Sequence, residues 1–262
     1  SFSFSLSECG GNIDASLAVA LSSSSGTPVI YFGGLSKNSS DVKVPGYWED
    51  GAWTALTPID ATKDSKVYSM AISGSNVYAA GYSTNTPNVM VPGYWKDGVW
   101  TALTPIDATK SSMVYSIAIS GSNVYAAGYS TNATNVMVPG YWRDGVWTAL
   151  TPIDATKSSG GTSIVISGSD VHVAGMSTNS SDVMIPGYWE DGVWTALTSI
   201  DATKSSMVYS IAISGSNVYV AGYSTNASDV PVPGYWEDGV WTALTPIDAT
   251  KGSEVACIAV GQ

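Results

Sequence analysis

From Val114 to Ser120 the chain reads Val-Tyr-Ser-Ile-Ala-Ile-Ser, apolar positions alternating with small or polar ones. A period of two with β-branched residues predicts a half-buried strand. Gly121-Ser122-Asn123 is a turn, and Val124 to Ser130 predicts a second strand. A polar stretch, Thr131 to Asn135, comes next. Val136 to Arg143 and Val146 to Ile153 then flank Asp144-Gly145, a dipeptide that accepts the positive φ angles of a type I′ hairpin turn.

The pattern recurs along the chain. Pro-Gly-Tyr-Trp begins at Pro45, Pro92, Pro139, Pro186 and Pro233, each 47 residues after the last. Four short antiparallel strands in a repeat of this length predict a β-propeller blade, and five copies predict an all-β, five-bladed propeller with four antiparallel strands per blade. A solenoid is the rival, but it normally needs atypical capping repeats, and both ends here read as ordinary repeat pieces.

The ends carry one strand too many. Residues 254 to 260 repeat the first strand of a blade and are expected to close the ring by pairing within the first blade. Ser16 to Leu21 competes for the same slot. Residues 1–15 are read as an N-terminal extension and 16–262 as the propeller. Within the extension, Ser1 to Ser7 alternates so that Phe2, Phe4 and Leu6 share one face. Such a strand either packs on an edge of its own propeller or adds to a neighbouring molecule by strand donation, a contact that generates a filament when it does not close.

Composition narrows the partners. The 262 residues include 10 Lys or Arg against 21 Asp or Glu, a net charge of −11. That balance argues against nucleic acid or an anionic membrane as partner. No apolar run reaches the roughly 18 residues that a membrane-spanning helix needs. Together with the sparse charge and the two cysteines, this predicts an extracellular or cell-surface protein. Cys9 and Cys257 lie one near each end. Both are expected to be oxidised, to each other as a lock on the ends or across subunits, with two free thiols as the alternative.

All ten tryptophans fall in the hairpins: Trp48 and Trp53, Trp95 and Trp100, Trp142 and Trp147, Trp189 and Trp194, Trp236 and Trp241. A two-residue turn at Asp97-Gly98 sets Trp95 opposite Trp100 on one face. These pairs are read as filling between blades, with a stacking platform for sugar rings as the functional alternative. The loops after the second and fourth strands should share one face of the disc. That places Asp60, Asp107, Asp154, Asp201 and Asp248 in a fivefold set beside Lys63, Lys110, Lys157, Lys204 and Lys251. Asp beside aromatics suits sugar hydroxyls, yet such residues more often cap turns. Asn38, Asn132, Asn179 and Asn226 each begin Asn-X-Ser/Thr, an acceptor pattern for N-glycosylation.

Catalysis finds little support. Glycoside hydrolysis needs two carboxylates in different environments, whereas each loop carboxylate here has a copy in every blade. His172 is the only histidine, standing where most copies have tyrosine, and is expected on the surface. No Cys-His or His-His spacing suits a metal. Gly160-Gly161 reads as a weakened inner strand rather than a phosphate loop, since no helix comes after it. No cofactor is implied.

The run Gly-Tyr-Trp-Lys-Asp-Gly-Val-Trp-Thr-Ala-Leu from Gly93, with Val-Tyr-Ser-Ile-Ala-Ile-Ser-Gly-Ser-Asn-Val-Tyr-Ala-Ala-Gly-Tyr from Val114, resembles tandem propeller-type repeats of bacterial secreted and cell-surface proteins. The resemblance covers nearly everything after Ser16 and implies fold and location, not a catalytic residue. The repeat length is similar to that of five-bladed tachylectin-type lectins, whose recurrent motifs this chain lacks. The expected function is a non-enzymatic surface or structural module that assembles with itself. The alternative is a multivalent lectin for cell-surface glycans.

Overall fold

A computed structural model describes residues 5–6, 19–22 and 29–261. Among these residues every regular element is a strand. The first blade consists of β1 (Ser5–Leu6), β2 (Val19–Ser22), β3 (Val29–Lys37), β4 (Lys43–Glu49) and β5 (Ala52–Ala55), hydrogen-bonded in that order. Four further antiparallel sheets of four strands succeed it in chain order. The chain is thus all-β, with the five successive blades of a propeller.

Blade three shows how the sequence builds each unit. Its strands are Met113–Ser120, Asn123–Thr131, Met137–Arg143 and Val146–Ala149. The hairpin turn holds Asp144 at φ 50 and Gly145 at φ 85, the left-handed pair of a type I′ turn. Asp144 Oδ1 also accepts the Val124 N–H at 2.8 Å, fastening the hairpin tip to the second strand. Trp142 therefore pairs with Trp147 across the ladder, their rings 4.3 Å apart. Gly140 is required beneath them, because a Cβ there would fall 2.3 Å from the Trp147 ring.

The fourth strand stops at Ala149, short of the expected Ile153. The Leu150 N–H still closes on the Pro139 carbonyl at 2.8 Å, but the Leu150 side chain is buried in the next junction. The Thr151 carbonyl turns the same way and accepts the Trp189 indole N–H. The chain leaves its own sheet to serve the next one.

The core is divided among the junctions between successive blades. Between blades two and three it contains Tyr78, Leu103, Val114, Ile117 and Trp142, and the counterparts of Leu103, Ile117 and Trp142 recur at the other three junctions, with Met70 in place of the isoleucine at the first. Buried hydroxyls stitch the same surfaces. Ser69, Ser116 and Ser163 accept the N–H of Ile117, Ile164 and Ile211 on the following blade, at 2.9 to 3.3 Å.

The chain ends depart from the expected closure. β2 pairs with β3 and fills the first-strand slot of blade one, while residues 254–260 form no strand. A partner close in sequence closes a smaller loop and loses less chain entropy than one at the far end of the chain. The C-terminal segment lies instead on blade five, with the Ile258 N–H on Ser210 Oγ at 3.2 Å and the Val255 N–H on the Gly222 carbonyl at 3.2 Å. It thus occupies the place of a sixth blade's first strand. Leu6 lies in β1, opposite Val19 of the same chain; Phe2, Phe4 and Cys9 lie outside the described residues.

Candidate functional site

The ten tryptophans separate into two sets. In the third strands, Trp95, Trp142, Trp189 and Trp236 are wholly buried. Each indole N–H donates to a carbonyl of the preceding blade, that of Thr57, Thr104, Thr151 or Thr198, at 2.8 to 2.9 Å. They are the bolts of the four junctions. Trp48 heads the same series in blade one but is only half-buried. In the fourth strands, Trp53, Trp100, Trp147, Trp194 and Trp241 are half-buried on the outer part of the blades. Trp100, Trp147 and Trp194 keep their indole N–H buried without a partner, so the ring surface, not the polar edge, is what they present outward.

The two loops of each blade do share one face. Ser83, Ser130, Ser177 and Ser224 accept the N–H of Ile59, Ile106, Ile153 and Ile200 from the blade before, at 2.7 to 2.8 Å. The fivefold aspartates on this face cap their own turns. Asp107 Oδ1 accepts both the amide of Thr109 at 2.9 Å and its hydroxyl at 2.7 Å, and Asp60, Asp154, Asp201 and Asp248 do the same with Thr62, Thr156, Thr203 and Thr250. The threonine hydroxyl, and then the amide, hold each carboxyl below its ordinary range. Lys157 and Lys204 reach to the next blade, 2.6 Å from Asp182 and Asp229.

The acceptor asparagines are likewise engaged in turns. Asn132 Oδ1 takes the amide and hydroxyl of Thr134 and the amide of Val136. Asn38, Asn179 and Asn226 hold equivalent loops through Val42, Val183 and Val230.

Three features escape a reading by strict alternation. The first strands carry a register shift, between Val114 and Ser116 in blade three, which extrudes Tyr68 and Tyr115 into edge-to-face contact with centroids 5.1 Å apart. The equivalent Tyr209 donates to Glu254 of the C-terminal segment at 2.9 Å; burial first, then that carboxylate, pushes its phenol upward. The signal was a serine recurring inside an otherwise apolar strand. Second, His172 is buried rather than on the surface, with Nδ1 unpartnered. It occupies the position of Tyr78 and Tyr125, which face the next blade. Third, Gly160 and Gly161 still lie in a full strand, Gly160–Ser167.

The last blade differs from the others in one respect. Leu56, Leu103, Leu150 and Leu197 are 2 to 3% exposed, whereas Leu244, the same repeat position, is 42% exposed and Ile247 wholly so. Cys257 is a free, exposed thiol. Among the described residues no group of three His, Cys, Asp or Glu is placed to hold a metal, and no helix is long and apolar enough to cross a membrane.

No family model matches this chain, and no curated protein does. Among solved structures it is similar to an arginine-to-alanine triple mutant of AofleA from Arthrobotrys oligospora, with 17% identity, a TM-score of 0.45, and coverage of 93% of this chain and 76% of that one.

Proposed function

We propose that this chain is a non-enzymatic, extracellular structural module that assembles with itself. The observation that carries this reading is the outer face of blade five, where Leu244 is 42% exposed although Leu56, Leu103, Leu150 and Leu197 are sealed, and Ile247 is wholly exposed although Ile59, Ile106, Ile153 and Ile200 are 45 to 47% exposed. Catalysis is disfavoured because the repeated carboxylates are committed to capping turns, five alike, rather than set apart in two environments. Sedimentation velocity and electron microscopy of the purified protein, without added ligand and with reductant to keep Cys257 from cross-linking copies, test the reading. Concentration-dependent association supports it; a monomer throughout the micromolar range overturns it.

A second reading, a multivalent lectin for cell-surface glycans, is favoured by the half-buried fourth-strand indoles. The polar edges of Trp100, Trp147 and Trp194 are buried and their ring surfaces partly open, which suits stacking against the apolar face of a sugar. Binding on a glycan array that Trp100→Ala and Trp147→Ala both weaken supports it.

A further inference from the structure

The four formed junctions specify residue by residue what a fifth would contain. Each has a third-strand indole N–H donating to the carbonyl after the preceding blade's buried leucine, as Trp142 does to Thr104 beside Leu103. Each has a serine hydroxyl receiving the isoleucine N–H of the loop before it, as Ser130 does from Ile106. Two have a lysine reaching an aspartate on the following blade, Lys157 to Asp182 and Lys204 to Asp229.

Both halves of a fifth set exist in the chain and are not joined. Blade five offers Leu244, the Thr245 carbonyl, Ile247 and Lys251, all exposed. Blade one offers Trp48, Ser36 and Asp41. Trp48 and Ser36 are half-buried, while their counterparts Trp142 and Ser130 are wholly buried. Asp41 for the present holds Lys37 at 2.9 Å.

We propose that the outer face of blade five is a docking surface for blade one of a second copy, head to tail. In that contact the Trp48 indole donates to the Thr245 carbonyl, the Ile247 N–H donates to Ser36 Oγ, Lys251 meets Asp41, and Leu244 is covered. Residues 254–260 of the first copy, already in the first-strand place beside blade five, stand in for β2 of the docked blade. The inference rests on the self-assembling reading and names its surface. A second copy is the occupant because the interface continues one the chain already builds four times, and because the chain's own first blade leaves Leu244 and Ile247 uncovered. A heterologous contact pairs two different faces, so each added copy presents the same free face again until the rotation closes a ring.

The test uses the whole chain with Leu244→Asp or Ile247→Asp. Both side chains face solvent, so the fold and melting temperature should stay as in the native protein. Alone, each variant should sediment as a monomer at concentrations where the native chain associates. Its blade one remains intact, so it should dock onto native tails and end them. Mixed in equal amounts with native chains, it should cut assemblies to about two chains on average, one variant per assembly. Trp48→Ala blocks the opposite face, and mixing it with Leu244→Asp should give heterodimers although neither associates alone.

If the native chain associates and L244D and I247D associate equally well, the surface is wrong while the self-assembling reading stands. If the native chain is a monomer in which L244D lowers the melting temperature, blade one of the same molecule covers the face, and the second copy is excluded. If it is a monomer with no such loss, both the surface and the self-assembling reading fail.

Discussion

Leu150 and Leu244 occupy the same position in the same repeat, within identical Val-Trp-Thr-Ala-Leu-Thr-Pro-Ile-Asp stretches, yet one is sealed and the other is 42% exposed. The difference lies wholly in the neighbour that the next stretch of chain supplies. Blade four brings Val173 and Trp189 onto Leu150. Beyond blade five the described residues supply a single segment, 253–261. Burial in a tandem array is therefore a property of the neighbour, and identical residues carry different energies according to their place in the row.

The sharpest way to break this comparison is to truncate both leucines. Leu150→Ala should cost about 2–5 kcal/mol through a cavity between blades three and four. Leu244→Ala should stay within about 0.5 kcal/mol of the native protein. Urea unfolding of the two variants decides it, and equal losses would show the fifth face to be covered in solution.

A smaller contrast is expected at the indole bolts. Trp142→Phe removes the hydrogen bond to the Thr104 carbonyl and leaves a gap in a sealed site, and should cost about 1–3 kcal/mol. Trp48→Phe removes no such bond in the isolated chain and should be close to neutral by the same measurement.

The inner hydroxyls refine the comparison further. Ser116→Ala strands a buried Ile164 N–H, whereas Ser210→Ala strands only that of half-buried Ile258, which water can reach. Amide hydrogen exchange should accelerate at Ile164 in the first variant. In the second it should change little beyond the C-terminal segment.

The weakest effect expected is that of acid. Asp60, Asp107, Asp154, Asp201 and Asp248 are held below the ordinary carboxylate range by their threonine hydroxyls and amides. A folded pKa below the unfolded one gives stability that is complete above the unfolded value and is lost as pH falls through the folded one. The melting temperature should therefore decline as pH falls below the ordinary carboxylate range. Asp107→Asn should flatten that decline slightly, because one titrating cap is gone.

Much of the fold was legible because each blade states its own secondary structure locally. The alternation around Ile117, the Asp-Gly turns and the paired tryptophans all act within one hairpin, where sequence spacing and spatial spacing coincide. The capping role of the aspartates was legible for the same reason. What escaped depends on the neighbouring blade. The fourth strand ends early because Leu150 and Thr151 belong to the next junction, and His172 is buried because its side chain faces the following blade, as Tyr125 does in blade three. The pairing of the ends escaped because near-identical strands compete for one slot, and loop length, not side-chain pattern, separates them.

Since all four junctions share the indole bolt, the sealed leucine and the serine that takes the isoleucine N–H, the number of blades is not fixed by any specialised pair. Removing one 47-residue period in frame, such as residues 94–140, should rejoin a blade to a neighbour bearing the surface it has just lost. The gene is in that sense a ruler that unequal crossing-over can shorten or lengthen by whole units without any new interface having to arise. The near-identity of the copies, which makes such exchange easy, also gives the rejoined blades the same indole and leucine contacts.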